Sequence, residues 1–135
     1  MKKKIAILGS TGSIGKSTIQ VLKKNKKYFD IILLTTNSNS KELLKQINEL
    51  KVKNIIVNNK KHYLVLKEKL KKKIKVFNNF NSFKKKFNNK IDFTISGISG
   101  LEGLKPTLDI IEFTKTIAIA NKESIICGWN LIQKK

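Results

Sequence analysis

Lys4-Ile5-Ala6-Ile7-Leu8-Gly9-Ser10-Thr11-Gly12-Ser13-Ile14-Gly15-Lys16-Ser17 is the stretch on which the fold turns. Residues 4–8 are a short apolar run that reads as a buried strand, ending at Gly9. Residues 13–24 change to a helical period, with Ile14, Ser17, Thr18, Val21 and Leu22 expected on one inward face. Three glycines separate the two patterns. Gly9 permits the turn out of the strand, Gly12 leaves room for an anion to approach the backbone, and Gly15 lets the helix pack close to the sheet. The amides around Thr11, Ser13 and Ile14 are then expected to point at a pyrophosphate, helped by the positive end of the helix dipole. The spacing G-x-x-G-x-x-G is one residue longer than the common dinucleotide fingerprint, and its place between strand and helix gives it weight.

A second motif overlaps the first. Ser10 to Ser17 reads S-T-G-S-I-G-K-S, a P-loop whose first glycine is replaced by serine, in which Lys16 would reach the phosphates and Ser17 a Mg²⁺ ion. Against it, no later strand ends in the Asp that would complete the metal site, because Asp92 opens its strand. The dinucleotide reading is preferred.

Outward from this motif, apolar runs alternate with stretches of helical period. Strands are expected at 4–8, 30–36, 54–57, 74–77, 92–96 and 116–120. Helices are expected at 13–24, 41–50, 62–70 and 101–113, with a last one from near Glu123 towards Lys135. In the second helix Leu43, Leu44, Ile47 and Leu50 face inward. Residues 78–90 are the least legible; Phe80, Phe83 and Phe87 suggest a short helix packed by aromatics. Strand and helix in alternation imply right-handed βαβ units. The fold class is therefore α/β: a Rossmann-type doubly wound parallel sheet, with residues 1–135 as a single domain.

The end of the second strand selects between cofactors. An NAD site places an acid there for the ribose 2′-hydroxyl. Here the strand runs into Asn37-Ser38-Asn39-Ser40-Lys41 without a carboxylate, which favours the extra phosphate of NADPH. Asn39 or Ser40 also suits the N-cap of the second helix, and the two roles are compatible.

Composition sets the outer limits. A chain of 135 residues, 40% of them hydrophobic, can build one core. Cys127 is the only cysteine, so no internal disulfide can form, and no apolar run approaches the ~20 residues that span a bilayer. The N-terminus enters a strand at once, leaving no room for a leader, so a soluble, cytoplasmic protein with no membrane partner is expected. The net charge of +20 raises the alternative of a basic nucleic-acid-binding protein. Yet all 29 basic residues are Lys, without the Arg expected of a groove reader, and they cluster at Lys23-Lys24, Lys60-Lys61, 67–73 and 84–86, where helices show solvent. A stand-alone dinucleotide-binding module is the other alternative.

Three stretches together closely resemble the 1-deoxy-D-xylulose 5-phosphate reductoisomerase family: the Gly9 to Gly15 loop, the Gly97-Ile-Ser-Gly100-Leu turn followed by Pro106-Thr107, and Ala120-Asn-Lys-Glu-Ser124. The likeness runs in order over the whole chain, and the last stretch is its most specific element. It implies an enzyme that rearranges 1-deoxy-D-xylulose 5-phosphate and reduces the product with NADPH to 2-C-methyl-D-erythritol 4-phosphate, in non-mevalonate isoprenoid precursor biosynthesis. It further implies a divalent metal (Mn²⁺, Mg²⁺ or Co²⁺) and a homodimer for the full-length enzyme. By position, Thr11, Gly12, Ser13 and Ile14 would bind the NADPH diphosphate. The family's Gly-Lys/Arg-Asn falls on Asn37, Ser38 and Asn39; Ser38 departs from it, and Lys41 is a candidate substitute. Asn121 and Glu123 would contact the cofactor and Lys122 the substrate; without the resemblance, Asn121 reads alternatively as the N-cap of the last helix with Lys122 exposed.

The resemblance places the family's metal carboxylates and other catalytic groups beyond Lys135, so no catalytic residue and no metal ligand is expected in this chain. Its own acids offer no replacement: Asp109 and Glu112 read as a solvated helix face, His62 sits on a Lys-rich helix, and Glu123 is the one acid expected near the cofactor cleft. The chain is accordingly expected to be incomplete for catalysis by itself.

Overall fold

The computed structural model describes residues 1–70 and 73–135. Positions 71 and 72 of the basic 67–73 run lie outside the described residues. In chain order the elements are β1 (Lys3–Leu8), α1 (Ser13–Lys24), β2 (Phe29–Thr36), α2 (Ser40–Leu50), β3 (Asn54–Val57), α3 (Lys60–Lys69), β4 (Lys75–Phe77), α4 (Phe80–Lys84), β5 (Ile91–Ser96), α5 (Leu104–Ile111), β6 (Thr114–Ile119) and α6 (Lys122–Gln133). The strands form one sheet in the order β4-β3-β2-β1-β5-β6, every pairing parallel. This is the doubly wound Rossmann-type architecture expected from the alternation.

The two-residue side-chain period of a strand explains the two cores. Ile5 and Ile7 of β1 face one way, with Leu34 of β2 and Ile55 and Val57 of β3, into a layer closed by Ile19 and Leu22 of α1, Leu43 and Ile47 of α2 and Leu66 of α3. Ala6 and Leu8 face the other way, with Leu33 and Ile56, into a layer closed by Phe80 and Phe83 of α4 and Ile110 of α5. Helices α1 to α3 thus cover one face and α4 and α5 the other. Because the chain leaves the β4 edge and re-enters beside β1, the winding reverses between β1 and β5, and a crevice opens there at the carboxyl ends of the strands.

Three expectations require correction. The inward face of α1 is Gly15, Ile19 and Leu22, while Ser17 is exposed and Val21 is 60% exposed. The cause is Gly15: a Cβ on it would overlap the backbone of Gly9 and Ser10, so this residue must lie against the sheet, and its choice rotates the helix. Second, the helix expected at 101–113 is a 3₁₀ turn at Leu101–Gly103 followed by α5. Pro106 has no N–H and is tolerated in the first turn of α5, where Thr107 Oγ1 donates to Gly103 O at 2.8 Å. Third, β6 spans Thr114–Ile119 rather than 116–120, since Thr114 already pairs with Ile91.

Asp92 ties three strands at their amino ends. It accepts from Lys4 N at 2.8 Å and from Lys115 Nζ at 2.7 Å, and these bonds, Lys115 first, hold its carboxyl below the usual carboxylate range. A depressed carboxylate contributes above its unfolded-state pKa, so this tie is present at neutral pH and is lost as pH falls through the lowered value.

The short aromatic helix is part of the core. Phe83 is 1% exposed, edge-on to Phe77 at 5.5 Å and stacked on Phe87 at 4.9 Å. Phe83→Ala is expected to cost about 3–5 kcal/mol, read from the urea midpoint. A loss under about 1 kcal/mol would show that α4 packs loosely on the sheet.

Candidate nucleotide site

The residue that follows each of the first five strands, Gly9, Asn37, Asn58, Asn78 or Gly97, lines one cavity of about 710 Å³. Its size falls in the range of small-molecule sites.

The glycine loop is held from below by neutral hydrogen bonds. Gly9 turns at φ 71°, and its N–H donates to Thr35 Oγ1 at 3.0 Å. Ser10 N donates to Thr35 O at 2.9 Å, and Gln46 Nε2 donates to Ser10 O at 2.8 Å. The Thr11 and Thr36 hydroxyls are 2.8 Å apart, and Gly12 N closes the turn onto Gly9 O at 3.1 Å. The loop is therefore fixed by the end of β2 and by α2, leaving its upper surface clear.

Gly12 is the N-cap of α1 and supplies no side-chain cap, whereas α2, α3, α4 and α6 are each capped by an Asn: Asn39, Asn59, Asn79 and Asn121. A helix start leaves amides without intrahelical partners, and at α1 no side chain takes them up. A Cβ on Gly12 would meet no protein atom closer than Gly9 O at 3.5 Å. Nothing inside the protein requires glycine at that point. Uncapped amides beside a bare backbone in a cavity suit a phosphate group, and on this ground the residues fit a dinucleotide.

The sequence-predicted site residues divide into groups. Thr11, Gly12, Asn37 and Asn39 line the cavity, with Ser38 between the last two. Asn39 also caps α2, its Oδ1 accepting from Glu42 N at 3.2 Å. Ser13 and Ile14 line a separate groove along α1. Asn121 is buried at 3% exposure, with its side chain bonded to Ile98 O, Gly100 O and Ser124 N. Lys122 is exposed and Glu123 half-buried in the first turn of α6; neither lines the cavity. His62 is half-buried, and its Nδ1 is 2.7 Å from Ser40 Oγ at the start of α2.

The acids require a further correction. Glu102 and Asp109 line the same cavity as Gly9 and Gly12, so Glu123 is not the one acid near the cleft. Asp109 is paired with Lys105 at 2.7 Å, four residues earlier on α5. Of the pair Asp109 and Glu112, it is Glu112 that faces outward, paired with Lys84 and Lys135. The 3₁₀ turn redirects this stretch, and it left no periodic signal. Sequence reasoning also missed Thr35, Gln46, Asn58 and Asn78; Gln46, polar on the inward stripe of α2, was the one legible sign. Among the described residues no group of three His, Cys, Asp or Glu side chains could hold a metal ion, so these residues do not fit a resident divalent cation.

A Rossmann-type domain whose uncapped glycine loop opens on a cavity at the switch point defines the class. The family model described as 1-deoxy-D-xylulose 5-phosphate reductoisomerase matches residues 5–128, and the chain belongs to that family. The 1-deoxy-D-xylulose 5-phosphate reductoisomerase of Pelagibacter ubique is 61% identical over 135 residues, covering 98% of this chain and 35% of its own length. The solved reductoisomerase of Zymomonas mobilis in complex with NADPH superposes with a TM-score of 0.86 at 31% identity, covering 99% of this chain and 36% of that one. A reductoisomerase in complex with NADPH, fosmidomycin and magnesium superposes with a TM-score of 0.86 at 28% identity, covering 98% and 33%. The chain thus spans about a third of the length of the relatives it matches.

The two inner glycines are expected to separate in a stability measurement. Gly12→Ala has room for its methyl group and should stay within about 1 kcal/mol of the parent. Gly15→Ala drives a Cβ into backbone and should cost about 3 kcal/mol or more. Equal urea midpoints for the two variants would show that α1 can retreat from the loop.

Proposed function

We propose that this chain is the NADPH-binding part of a 1-deoxy-D-xylulose 5-phosphate reductoisomerase. It would serve the rearrangement and reduction of that sugar phosphate to 2-C-methyl-D-erythritol 4-phosphate in isoprenoid precursor biosynthesis. The observation that carries the reading is the uncapped start of α1 behind a bare Gly12, opening on a cavity at the switch point. NADPH, when bound, supplies hydride. This chain's residues bind and orient it. The amides of Thr11 to Ile14 and the positive end of α1 hold the diphosphate, and Asn37, Ser38 and Asn39 receive the 2′-phosphate at the end of β2. No base stands at Ser38, so that phosphate relies on the Ser38 hydroxyl, the Asn39 amide and Lys41 on the first turn of α2. Glu123 would border the nicotinamide side, and the Lys122 ammonium would attract the anionic substrate. The Mn²⁺, Mg²⁺ or Co²⁺ ion of the whole enzyme would be held by residues outside this set, and a homodimer and a cytoplasmic location belong to the same proposal. No helix among the described residues is long and apolar enough to cross a membrane.

Titrating the chain with NADPH and NADH by fluorescence should give tighter NADPH binding by a modest factor, about threefold to tenfold, because the phosphate meets dipoles and one lysine instead of a paired base. Gly12→Val should abolish binding of both while the chain stays folded. Equal affinities for the two cofactors, or a valine variant that binds as the parent does, would remove the reading.

With 1-deoxy-D-xylulose 5-phosphate and Mn²⁺ added, the 135-residue chain should bind NADPH without oxidising it. Hydride transfer depends on a positioned carbonyl, and the two cavity acids, one of them paired with Lys105, cannot hold a metal to place it. Fusing the carboxylate-bearing remainder of a family member after Lys135 should produce turnover. Metal-dependent oxidation by the chain alone would place the active site within these residues.

A further inference from the structure

The turn that follows β2, Asn37 to Ser40, lines the cavity through Asn37, Ser38 and Asn39 and is tied to the start of α3 at both ends. At its first residue Asn59 N donates to Asn37 O at 3.1 Å, next to the bond from Asn58 N to Thr36 O, also at 3.1 Å. At its last residue the tie is a side chain: His62 Nδ1 lies 2.7 Å from Ser40 Oγ. Ser40 in turn folds back on the loop, with its N–H donating to Ser38 O at 2.8 Å and its Oγ to the same oxygen at 3.4 Å. The backbone of His62 is fixed as well, because its N–H donates to Asn59 Oδ1 at 3.2 Å and so caps α3. His62 and Ser40 are half-buried, whereas Asn37, Ser38 and Asn39 are exposed. His62 is the one histidine of the chain, and no residue from 37 to 40 carries a charge.

We propose that His62 is a positioning residue for the 2′-phosphate of the dinucleotide: its imidazole anchors the Asn37–Ser40 turn through Ser40 and, when protonated, gives that turn the positive charge its own residues lack. The proposal rests on the NADPH reading of the site. Imidazole is the side chain whose charge changes near neutral pH. With both ring nitrogens protonated, Nδ1 can only donate to Ser40 Oγ, so the Ser40 proton is turned away from the ring and into the turn. A hydroxyl that accepts from a cation is also the stronger donor, which tightens the Ser40 to Ser38 contact. An imidazolium one hydroxyl away from the turn attracts a doubly charged phosphate through screening solvent, an effect of about threefold to tenfold on affinity. The charged side chains that neighbour the bonded pair in sequence are Lys41 and Glu42 on α2 and Lys60 and Lys61 on α3, while the ends of β2 and β3 bring only Asn and Ser. Lysine and glutamate ordinarily keep their charge between about pH 6 and 8, so a protein charge step in that window belongs to the imidazole.

The test compares NADP⁺ with NAD⁺, which differ only in the 2′-phosphate, by calorimetry on the parent chain and on His62→Gln, which keeps a hydrogen-bonding side chain and loses the charge. At about pH 6 the variant should bind NADP⁺ about threefold to tenfold more weakly than the parent, and NAD⁺ within about twofold. At about pH 8 the two chains should bind NADP⁺ within about twofold of each other. A phosphate monoester takes up its own second proton near about pH 6, so each pH is read as parent against variant. A parent that binds neither cofactor overturns the dinucleotide reading and the proposal with it. A parent that binds NADP⁺, with a variant that matches it at the lower pH or weakens both cofactors alike, overturns the role of His62 alone. A loss confined to NADP⁺ but equal at both pH values overturns the charge. Should the variant fail to fold, nuclear magnetic resonance of the unsubstituted chain decides, since one histidine gives one set of ring signals. Those signals should titrate at higher pH with NADP⁺ bound than with NAD⁺ bound. Coincident titrations overturn the proposal.

Discussion

The contact between Gly15 and the backbone of Gly9 and Ser10 is the constraint on which the rest depends. A helix can approach a strand exit this closely only where no Cβ intervenes, and any side chain at 15 would overlap Gly9 O. The approach sets the rotation of α1, which sends Ile19 and Leu22 into the core and leaves Val21 in solvent. It also aims the free amides of the first turn over the carboxyl end of β1, into the crevice where the sheet reverses. The packing of α1 against the strand exit therefore follows from one missing methyl group.

Around that contact the site is supported by neutral polar groups. Thr35 receives the Gly9 amide, Gln46 donates to Ser10 O, and Asn121 donates to the facing turn. Each is buried, so each must be bonded, and each bond holds a backbone segment that cannot be part of a helix or ladder. Gln46 Oε1 is the exception, a buried oxygen with no partner beside the glycine loop. Neutral supports suit a site for an anionic ligand, because they fix the loop without placing a counter-charge below it.

Most of the architecture was legible because strands buried on two faces leave unbroken apolar runs, and β3 and α1 have the expected bounds. What was not legible has physical causes. Hydrophobic period located α1 but misjudged its face, because packing at Gly15 depends on a side chain that is absent and scores as nothing in an apolar pattern. Residues 101–113 scan as one helix, and only the 3₁₀ turn before Pro106 swings Glu102 and Asp109 towards the glycine loop. The motif placed Thr11, Gly12, Asn37 and Asn39 at one cavity. For Asn121 the sequence offered a cofactor contact or a helix cap, and the cap at α6 is present, but its bonds to Ile98 and Gly100 left no sign. A side chain that caps α6 and braces a distant turn makes its long-range bonds across more than 20 residues, where spacing carries no information.

Charge is distributed so that attraction and selection are separate. With 29 lysines against 9 acids, the molecule as a whole draws anions without discrimination. Among the described residues that line the cavity only Lys105 is basic, and it is paired with Asp109; Phe80, Ile98 and Pro106 are apolar, and the rest are amides, hydroxyls and backbone, together with Glu102. With Asp109 paired to Lys105, Glu102 in the 3₁₀ turn leaves the α5 wall net negative, while the start of α1 and the turn into α2 carry amides. A ligand with anionic groups at one end and a neutral ring at the other would settle in one orientation, phosphates towards β1 and β2 and ring towards β5. In the proposed reading, the negative charge of Glu102 would turn the phosphates of a dinucleotide away from that wall.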